Sequence, residues 1–418
     1  MTSNHARISA KTPDGHAHFV GFHDITPWSA GGEALLLHRG PTDFTDMVHT
    51  HEPIEVGLWT PGDDRFVCLG STAAWNFQQG ARAQWVPNTE DMLAYNSIRD
   101  GELVGVILDH GAERGVLPGG IYAFSPDGRH TISPDYGVLS HLWPAYGYAP
   151  LRARAYETDP ARTGIWLTEV ETGYRQLLIS TADAAAVNRA EGAATSSDFL
   201  AHPSYSPDGS RICFLHRFFS ADGALYTRMF VADRYGRDLR LLAEEKVSHF
   251  DWFDSDHLLV WARFAGTGLA KARASGLLSH PFVQPLVNQA RRVTGRWKRK
   301  LLAEAFYRIS VDGERQRYGW PALDNDGHPM FARRHRWILL DTYPDNGRYP
   351  VILYHQDNGE RIDPAVFAYG VRSSDTDAKC DLHPRWDRSE TRIAVDTCEA
   401  GVRRVQIVDV ADIVGGMP

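Results

Sequence analysis

The chain is poor in cysteine, in uninterrupted apolar sequence and in positive charge, and each shortage removes a class of protein. Four cysteines among 418 residues are too few to staple a secreted disulfide scaffold. No apolar run approaches the ~18 residues of a transmembrane helix. The opening segment, Met1-Thr-Ser-Asn-His-Ala-Arg-Ile8, is polar and lacks the apolar centre of a secretory signal. A cytoplasmic chain is therefore expected, or a periplasmic or secreted one if a leader has been removed. With 52 acidic residues against 44 basic ones the formal net charge is −8, so no global field draws the chain to nucleic acid or to an anionic membrane. What remains is globular composition, 43% hydrophobic, 11% aromatic and 23% charged, which excludes a disordered chain. The length exceeds one ordinary core and calls for two or three domains, or for one repeat architecture.

A repeat is present. Its clearest copy is His202-Pro-Ser-Tyr-Ser-Pro-Asp-Gly-Ser-Arg-Ile-Cys-Phe-Leu-His-Arg217, an extended segment, a tight turn and a second strand. Pro207 presets φ in the turn, and Gly209 accepts the positive φ that closes the hairpin. The unit recurs at Phe124-Ser-Pro-Asp-Gly128 and Trp28-Ser-Ala-Gly-Gly32, and more weakly after Trp85, Trp252, Phe331 and Trp386. Seven aromatics thus precede seven turns, at spacings from 39 to 81 residues. A four-stranded propeller blade takes about 40–45 residues. The expectation is an all-β fold, a seven-bladed β-propeller forming a single domain over residues 1–418. Two longer insertions fall at about 137–200 and 264–327. Within blade five, the insertion at about 264–305 is basic, with eight Lys or Arg and no acid from Lys271 to Lys300. It reads as a solvated excursion or as a lid that draws an anionic ligand to one face.

Register then locates chemistry. In an antiparallel hairpin the start of the first strand and the end of the second share an edge, so each blade presents two short stretches at one face of the propeller. Three residues before the aromatic, four blades carry histidine: His202, His249, His328 and His383. The other three carry Ile25, Arg82 and Ile121, with His23 just upstream of Ile25. At the return ends stand Tyr136, His216-Arg217, Asp341-Thr-Tyr343 and Asp396-Thr-Cys398, among others. A repeated histidine can also serve simply as a hydrogen-bonding core residue. The recurring aromatics belong to the core, because strand alternation turns them between blades.

Two constellations carry chemistry. Cys380 and His383, with Cys398 at the return end of the same blade and His328 at the entry of the preceding one, suit a tetrahedral structural zinc. Such an ion would staple the last blade to its neighbour. Arg217, His202, Tyr136 and His249 suit β-elimination on a uronate. Arginine neutralises the carboxylate, and His or Tyr removes the α-proton and protonates the leaving oxygen. Paired carboxylates for hydrolysis are scarce at these positions. Spacing alone does not separate a lyase from a non-catalytic propeller that binds an anionic glycan or a protein partner.

The wording of several strings adds a family. Phe22-His-Asp-Ile-Thr-Pro-Trp28, Ala74-Trp-Asn-Phe-Gln-Gln-Gly80, Ala145-Tyr-Gly-Tyr148, Phe214-Leu-His-Arg217, Gly327-His-Pro329, Asp341-Thr-Tyr-Pro-Asp345 and Cys380-Asp-Leu-His-Pro-Arg-Trp386 together resemble the seven-bladed propeller polysaccharide lyases. The resemblance is to the ulvan lyases of lyase families 24 and 25, and more distantly to oligogalacturonate lyase. It covers nearly the whole chain. It implies a carbon–oxygen lyase acting on a uronate-containing oligo- or polysaccharide by β-elimination, with Arg217 as the neutraliser. It also implies a structural zinc on His328, Cys380, His383 and Cys398. The acid and base carry over less directly. Where those lyases place histidines, in the third blade and the segment after it, this chain has Tyr136 and the stretch His141 to Tyr148.

Overall fold

A computed structural model describes residues 6–42, 47–63, 65–188, 195, 197–219, 225–264, 304–370 and 376–415. The basic run from Lys271 to Lys300 lies outside the described residues. Seven four-stranded sheets are formed, the arrangement of a seven-bladed β-propeller. Blade one runs from strand Ala17–Phe19 to Phe66–Thr72, blade two from Gln84–Trp85 to Ala112–Pro118, and blade three from Ala123–Phe124 to Arg175–Ser180. Blade four runs from Phe199–Tyr205 to Arg240–Ala243, blade five from Lys246–Trp252 to Arg315–Arg317, and blade six from Met330–Phe331 to Arg361–Ala368. Blade seven takes Arg385–Trp386, Arg392–Glu399 and Val402–Asp409 and is completed by Arg7–Lys11 from the other end of the chain. That closing strand pairs antiparallel with Val402–Asp409, Arg7 opposite Asp409 and Lys11 opposite Gln406.

The chain divides into two compact units. The first comprises Met1–Glu157, Trp166–Leu177 and Gly327–Pro418, and the second Thr158–Ile165 and Leu178–Asp326. In the first, apolar side chains meet between consecutive sheets, as strand alternation demands. Trp28, Leu35, Leu37 and Trp59 of blade one pack on Ala394, Val405 and Ile407 of blade seven. Trp337, Leu339 and Val351 of blade six pack on Trp386, Ile393 and Val395 of blade seven. In the second, Cys213, Leu215, Met229 and Val231 of blade four pack on Val247, Trp252, Leu258 and Val260 of blade five. Each such side chain, fully buried, contributes about 1.5–3 kcal/mol.

Six of the seven aromatics end the inner strand of their blade, while Trp28 stands beyond the strand Ala17–Phe19 in an isolated bridge to Leu35; Trp28, Trp252 and Trp386 are buried. The turns carry the expected chemistry. In blade four, Asp208 accepts from Ser206 Oγ (2.6 Å) and from Ser210 N (3.0 Å), and Gly209 has φ +70°. The excess chain read as one insertion over 137–200 is two excursions around blade three's own outer strands, Gly164–Glu169 and Arg175–Ser180. A helix Tyr136–Leu142 precedes those strands and a helix Thr181–Ala186 follows them. No helix among the described residues is long and apolar enough to cross a membrane.

Buried histidines make the first unit sensitive to acid, and His38 is one of them. The His38 ring stacks on Phe19. Its Nδ1 donates to the Phe19 carbonyl (3.3 Å), and its Nε2 accepts from Ala81 N (3.0 Å). Gly80 is required beside it, because a Cβ there would lie 2.2 Å from the imidazole. Burial lowers the His38 pKa from 6.5 to about 4; the Phe19 and Val20 carbonyls oppose that shift, and Arg385 adds to it. The folded ring is neutral while the unfolded one gains a proton near 6.5, so stability is lost as pH falls from about 6.5 to about 4. The lowering corresponds to roughly 3 kcal/mol. His38→Gln, which keeps a donor and an acceptor, should therefore be less stable than the parent at pH 7 and lose that deficit by pH 4.5. Urea-unfolding midpoints across that range measure it, and a pH-independent gap would show that His38 is not a sensitive group.

Candidate functional site

The register point three residues before each aromatic is where the inner strands stop being regular. Arg82, His202 and His383 occupy it with φ of +53°, +51° and +41°, a left-handed conformation that non-glycine residues adopt at a cost. In blade four the pairing jumps from Ala201–Leu215 to Ser204–Cys213, so that His202 and Pro203 face Phe214 alone. Blade five jumps in the same way from Val247–Ala262 to Phe250–Val260, around Ser248 and His249. Such bulges re-aim a side chain out of the ladder.

In the first unit this point, together with the segment after Phe19, gathers imidazoles. The rings of His328 and His383 have centroids 4.3 Å apart, and His23 lies 5.0 Å from His328 and 6.1 Å from His383. All three are 3% exposed, and each is anchored through Nδ1. His383 donates to Gly21 O (2.6 Å), His23 to Pro329 O (3.2 Å) and His328 to the Asp341 carboxylate (2.8 and 3.0 Å). Gly21 can reach His383 because nothing larger fits. It has φ +113° and a Cβ there would sit 2.7 Å from the Gln79 backbone. Asp396 pins the same segment by accepting from Val20 N (2.9 Å) and Gly21 N (3.0 Å).

Burial, and behind it the charges of His328, Arg385, His23 and Lys379, hold the His383 pKa well below the usual histidine value, so its ring is neutral. Its Nε2 is buried with no hydrogen-bond partner. Ligand atoms of His328, His383 and Asp381 all lie within 4.8 Å of one another. This is the pattern of metal-binding histidines, with one nitrogen held by a carbonyl or carboxylate and the other turned inward. A neutral imidazole with an orphaned inward nitrogen fits a divalent cation. Around Asp381, Lys379 Nζ lies 2.7 Å away and Tyr349 donates its hydroxyl (3.2 Å). Lys379 also stands over the Tyr343 ring, 4.7 Å from its centroid.

The donor set departs from the expected zinc site. His328 and His383 are in it, but the third member is Asp381, and the set includes neither Cys380 nor Cys398. Residues 380–383 belong to no strand, and His383 takes a left-handed φ of +41°, so the backbone there does not follow strand alternation. Leu382 is part of the apolar core between blades six and seven. Burial pushes the Cys380 thiol above its ordinary pKa, which favours a packed thiol over a thiolate.

The second unit contains Arg217, His202 and His249. Arg217 stands opposite Phe199, two residues past Leu215 on the strand face that packs against blade five. The imidazole of His249 is 11% exposed, and its Nδ1 lies 2.8 Å from Asp326 Oδ1. Burial works against the Asp326 charge, but His249, and more weakly Lys246, outweigh it and hold the carboxyl below its usual range. Next to Arg217, His216 is fully enclosed. Its Nε2 lies 3.0 Å from Asp198 and its Nδ1 3.4 Å from an Arg228 nitrogen, so both ring nitrogens are engaged in the fold.

Tyr136 does not fit the acid or base role expected of it. It opens the helix Tyr136–Leu142 in the first unit and is 2% exposed. Its ring stacks on Tyr148 at 4.6 Å, and its hydroxyl donates to Ile121 O (3.2 Å). Burial, first of several causes, raises its phenol well above 10. The phenol is a packing element. Sequence reasoning passed over Asp326 and Asp381. Each carried a faint signal, an acid two residues before His328 and an acid two residues before His383.

No family model matches the chain, and no curated protein matches it. Solved structures do. An oligogalacturonate lyase in complex with manganese aligns over 96% of this chain and 92% of its own, with a TM-score of 0.60 at 14% identity. An oligogalacturonate lyase from Vibrio parahaemolyticus gives 0.58 at 14% identity, over 96% and 92%. A puromycin-hydrolyzing peptidase from Mycobacterium tuberculosis gives 0.51 at 14% identity, over 96% of this chain and 55% of that one. At these identities the likeness establishes the propeller fold, and oligogalacturonate lyase is one of the relatives expected from the motifs.

Removing thiols and removing imidazoles separates the two donor sets. Cys380→Ser combined with Cys398→Ser should leave divalent-metal retention unchanged. His383→Gln should lower affinity by about tenfold or more. Elemental analysis after loading and desalting reads both, and loss of metal from the serine variant would restore the thiolate set.

Proposed function

We propose that the protein is a carbon–oxygen lyase that cleaves a uronate-containing oligo- or polysaccharide by β-elimination. The observation that carries this reading is the His249–Asp326 pair, a partly exposed imidazole re-aimed by a strand bulge and oriented through Nδ1 by a buried carboxylate. With that proton donated to Asp326, the Nε2 lone pair is the basic one, and the carboxylate stabilises the imidazolium that forms on proton uptake. In the uronate the proton α to the carboxylate is weakly acidic, and its removal puts charge on the carboxylate oxygens. Arg217 is assigned to hold that carboxylate by a bidentate contact and stabilise the charge. His249 takes the α-proton, and the electron pair of that bond becomes the C4–C5 double bond. The C4–O bond breaks, and the leaving oxygen receives a proton, for which His202 is the assigned donor. The products are an unsaturated uronate end and a free hydroxyl.

In the first unit, His328, His383 and Asp381 would hold a divalent cation, which when bound would supply Lewis-acid charge to an anionic ligand. Nitrogen and oxygen donors suit manganese as well as zinc, and the manganese complex of an oligogalacturonate lyase with this fold supports that choice. Three protein ligands leave coordination positions open. The ligand implied is an anionic glycan.

The test is appearance of the conjugated enol-ether absorbance on a panel of uronate glycans with manganese-loaded protein. His249→Ala should lower kcat by about 10²–10⁴, and Asp326→Asn should lower it with folding retained. Chelation should remove the ion with the fold intact. Glycan binding without any unsaturated product, from metal-replete protein, would overturn the lyase in favour of a binding propeller.

A further inference from the structure

The metal-centre reading leaves one buried carboxylate without a ligand role. Asp341, 2% exposed, ends the second strand region of blade six. Three N–H groups converge on it. Its Oδ1 accepts from the His328 backbone N (2.8 Å) and from His328 Nδ1 (2.8 Å). Its Oδ2 lies 3.0 Å from the same Nδ1 and accepts from the His383 backbone N (3.1 Å). One carboxylate thus sets the ring of one histidine and the backbone of another from the next blade, 42 residues away. The second contact holds His383 at its left-handed φ of +41°, which turns that side chain towards His328.

We propose that Asp341 is the positioning residue of this centre. It fixes His328 as the Nδ1–H tautomer, so that Nε2 is the ligand atom, and it clamps His328 and His383 at ligand spacing before any ion arrives. The inference rests on reading the cluster as a metal centre. Its physical basis is the donor count. A carboxylate has two acceptor oxygens and no hydrogen, and only such a group accepts from all three N–H groups at once. Asparagine offers one acceptor, and its amide hydrogens face at least one of the three donors. The two backbone N–H groups lie on different oxygens, His328 N on Oδ1 and His383 N on Oδ2, so the amide must oppose one of them. In the Oδ1 place it also faces His328 Nδ1, whose proton then moves to Nε2, where it blocks ligation. In the Oδ2 place it opposes His383 N–H and releases the backbone that carries the second ligand. A carboxylate behind a metal-bound histidine also raises ligand basicity, and its loss lowers metal affinity by about 10–100-fold.

The experiment uses the full chain, labelled with ¹⁵N-histidine and stripped of metal. Long-range ¹H–¹⁵N correlation reports the His328 tautomer, assigned by the signal missing from His328→Gln. Calorimetric titration with manganese alone, and with zinc alone, reports affinity. In the parent the His328 proton should be on Nδ1. In Asp341→Asn affinity for either ion should fall about 10–100-fold whichever way the amide turns, with the far-ultraviolet dichroism unchanged. A parent protein with the proton on Nε2 overturns the proposal without any variant, so it stands to be rejected even if Asp341→Asn fails to fold. An Asp341→Asn protein of unchanged tautomer and affinity overturns it equally. A parent that binds neither ion defeats the metal reading instead, while the tautomer still judges the positioning role.

Discussion

An inner strand must stop pairing before it can point a side chain at anything but its neighbours, and the candidate chemistry hangs on that interruption. A regular strand delivers successive side chains to the two flanking blades. At one register point, three residues before the aromatic, the ladder is broken instead. Arg82, His202 and His383 take left-handed φ there, and blades four and five carry bulges. A non-glycine residue in that region costs about 1–2 kcal/mol, and the cost must be met locally. Arg82 is held by Asp24 (2.8 and 3.1 Å) and by the Tyr122 carbonyl. His383 is held by Asp341 and Gly21. Where the position carries Ile25 or Ile121, φ is not positive, as expected for a β-branched side chain. The strain falls on residues with polar groups to place.

Hydrogen-bond accounting then distinguishes the histidines. His38 and His216 are as buried as His383, yet each has both ring nitrogens engaged within the protein. Such a ring is a bracket, and its chemistry is spent on the fold. His383 has one nitrogen on Gly21 and the other buried without a partner. An orphaned buried polar atom costs about 1–3 kcal/mol, a penalty that a bound ligand removes. His249 is a third case, with one nitrogen held by Asp326 and the ring partly open. These three patterns, closed, orphaned and half-open, are the ones that the structural role of His38 and His216 and the proposed roles of His383 and His249 require.

The fold was largely legible because its signals are local. An aromatic, a turn with Pro and Gly, and a following apolar run lie within a dozen residues, as at Tyr205 to Leu215. The strand Arg7–Lys11 was not legible, since it is mostly exposed and its place is set by a partner some 400 residues away. At the candidate site the histidines could be read from repeat register, and so could Asp341 at the return end of blade six. Asp326 could not, because it reaches His249 from the chain between blades five and six, which no periodicity encodes. Cys380 and Cys398 lie outside the donor group of His328, Asp381 and His383, and a Cys-x-x-His spacing does not encode the left-handed φ at His383 that sets which side chains meet there.

That exchange of donors bears on what an ion would be for. A zinc held by two thiolates would have been a staple for the last blade. Blade seven, however, is closed by backbone pairing with Arg7–Lys11. Asp396 bonds Val20 N and Gly21 N, and Arg385 reaches the Phe22 carbonyl (3.0 Å). With closure supplied by strand pairing and buried hydrogen bonds, the fold has little need of a metal there. Within the cluster it is His383 Nε2 that is buried without a hydrogen-bond partner, beside His328 and Asp381 with ligand atoms within 4.8 Å of one another, and the propeller's closure gives no reason for that grouping.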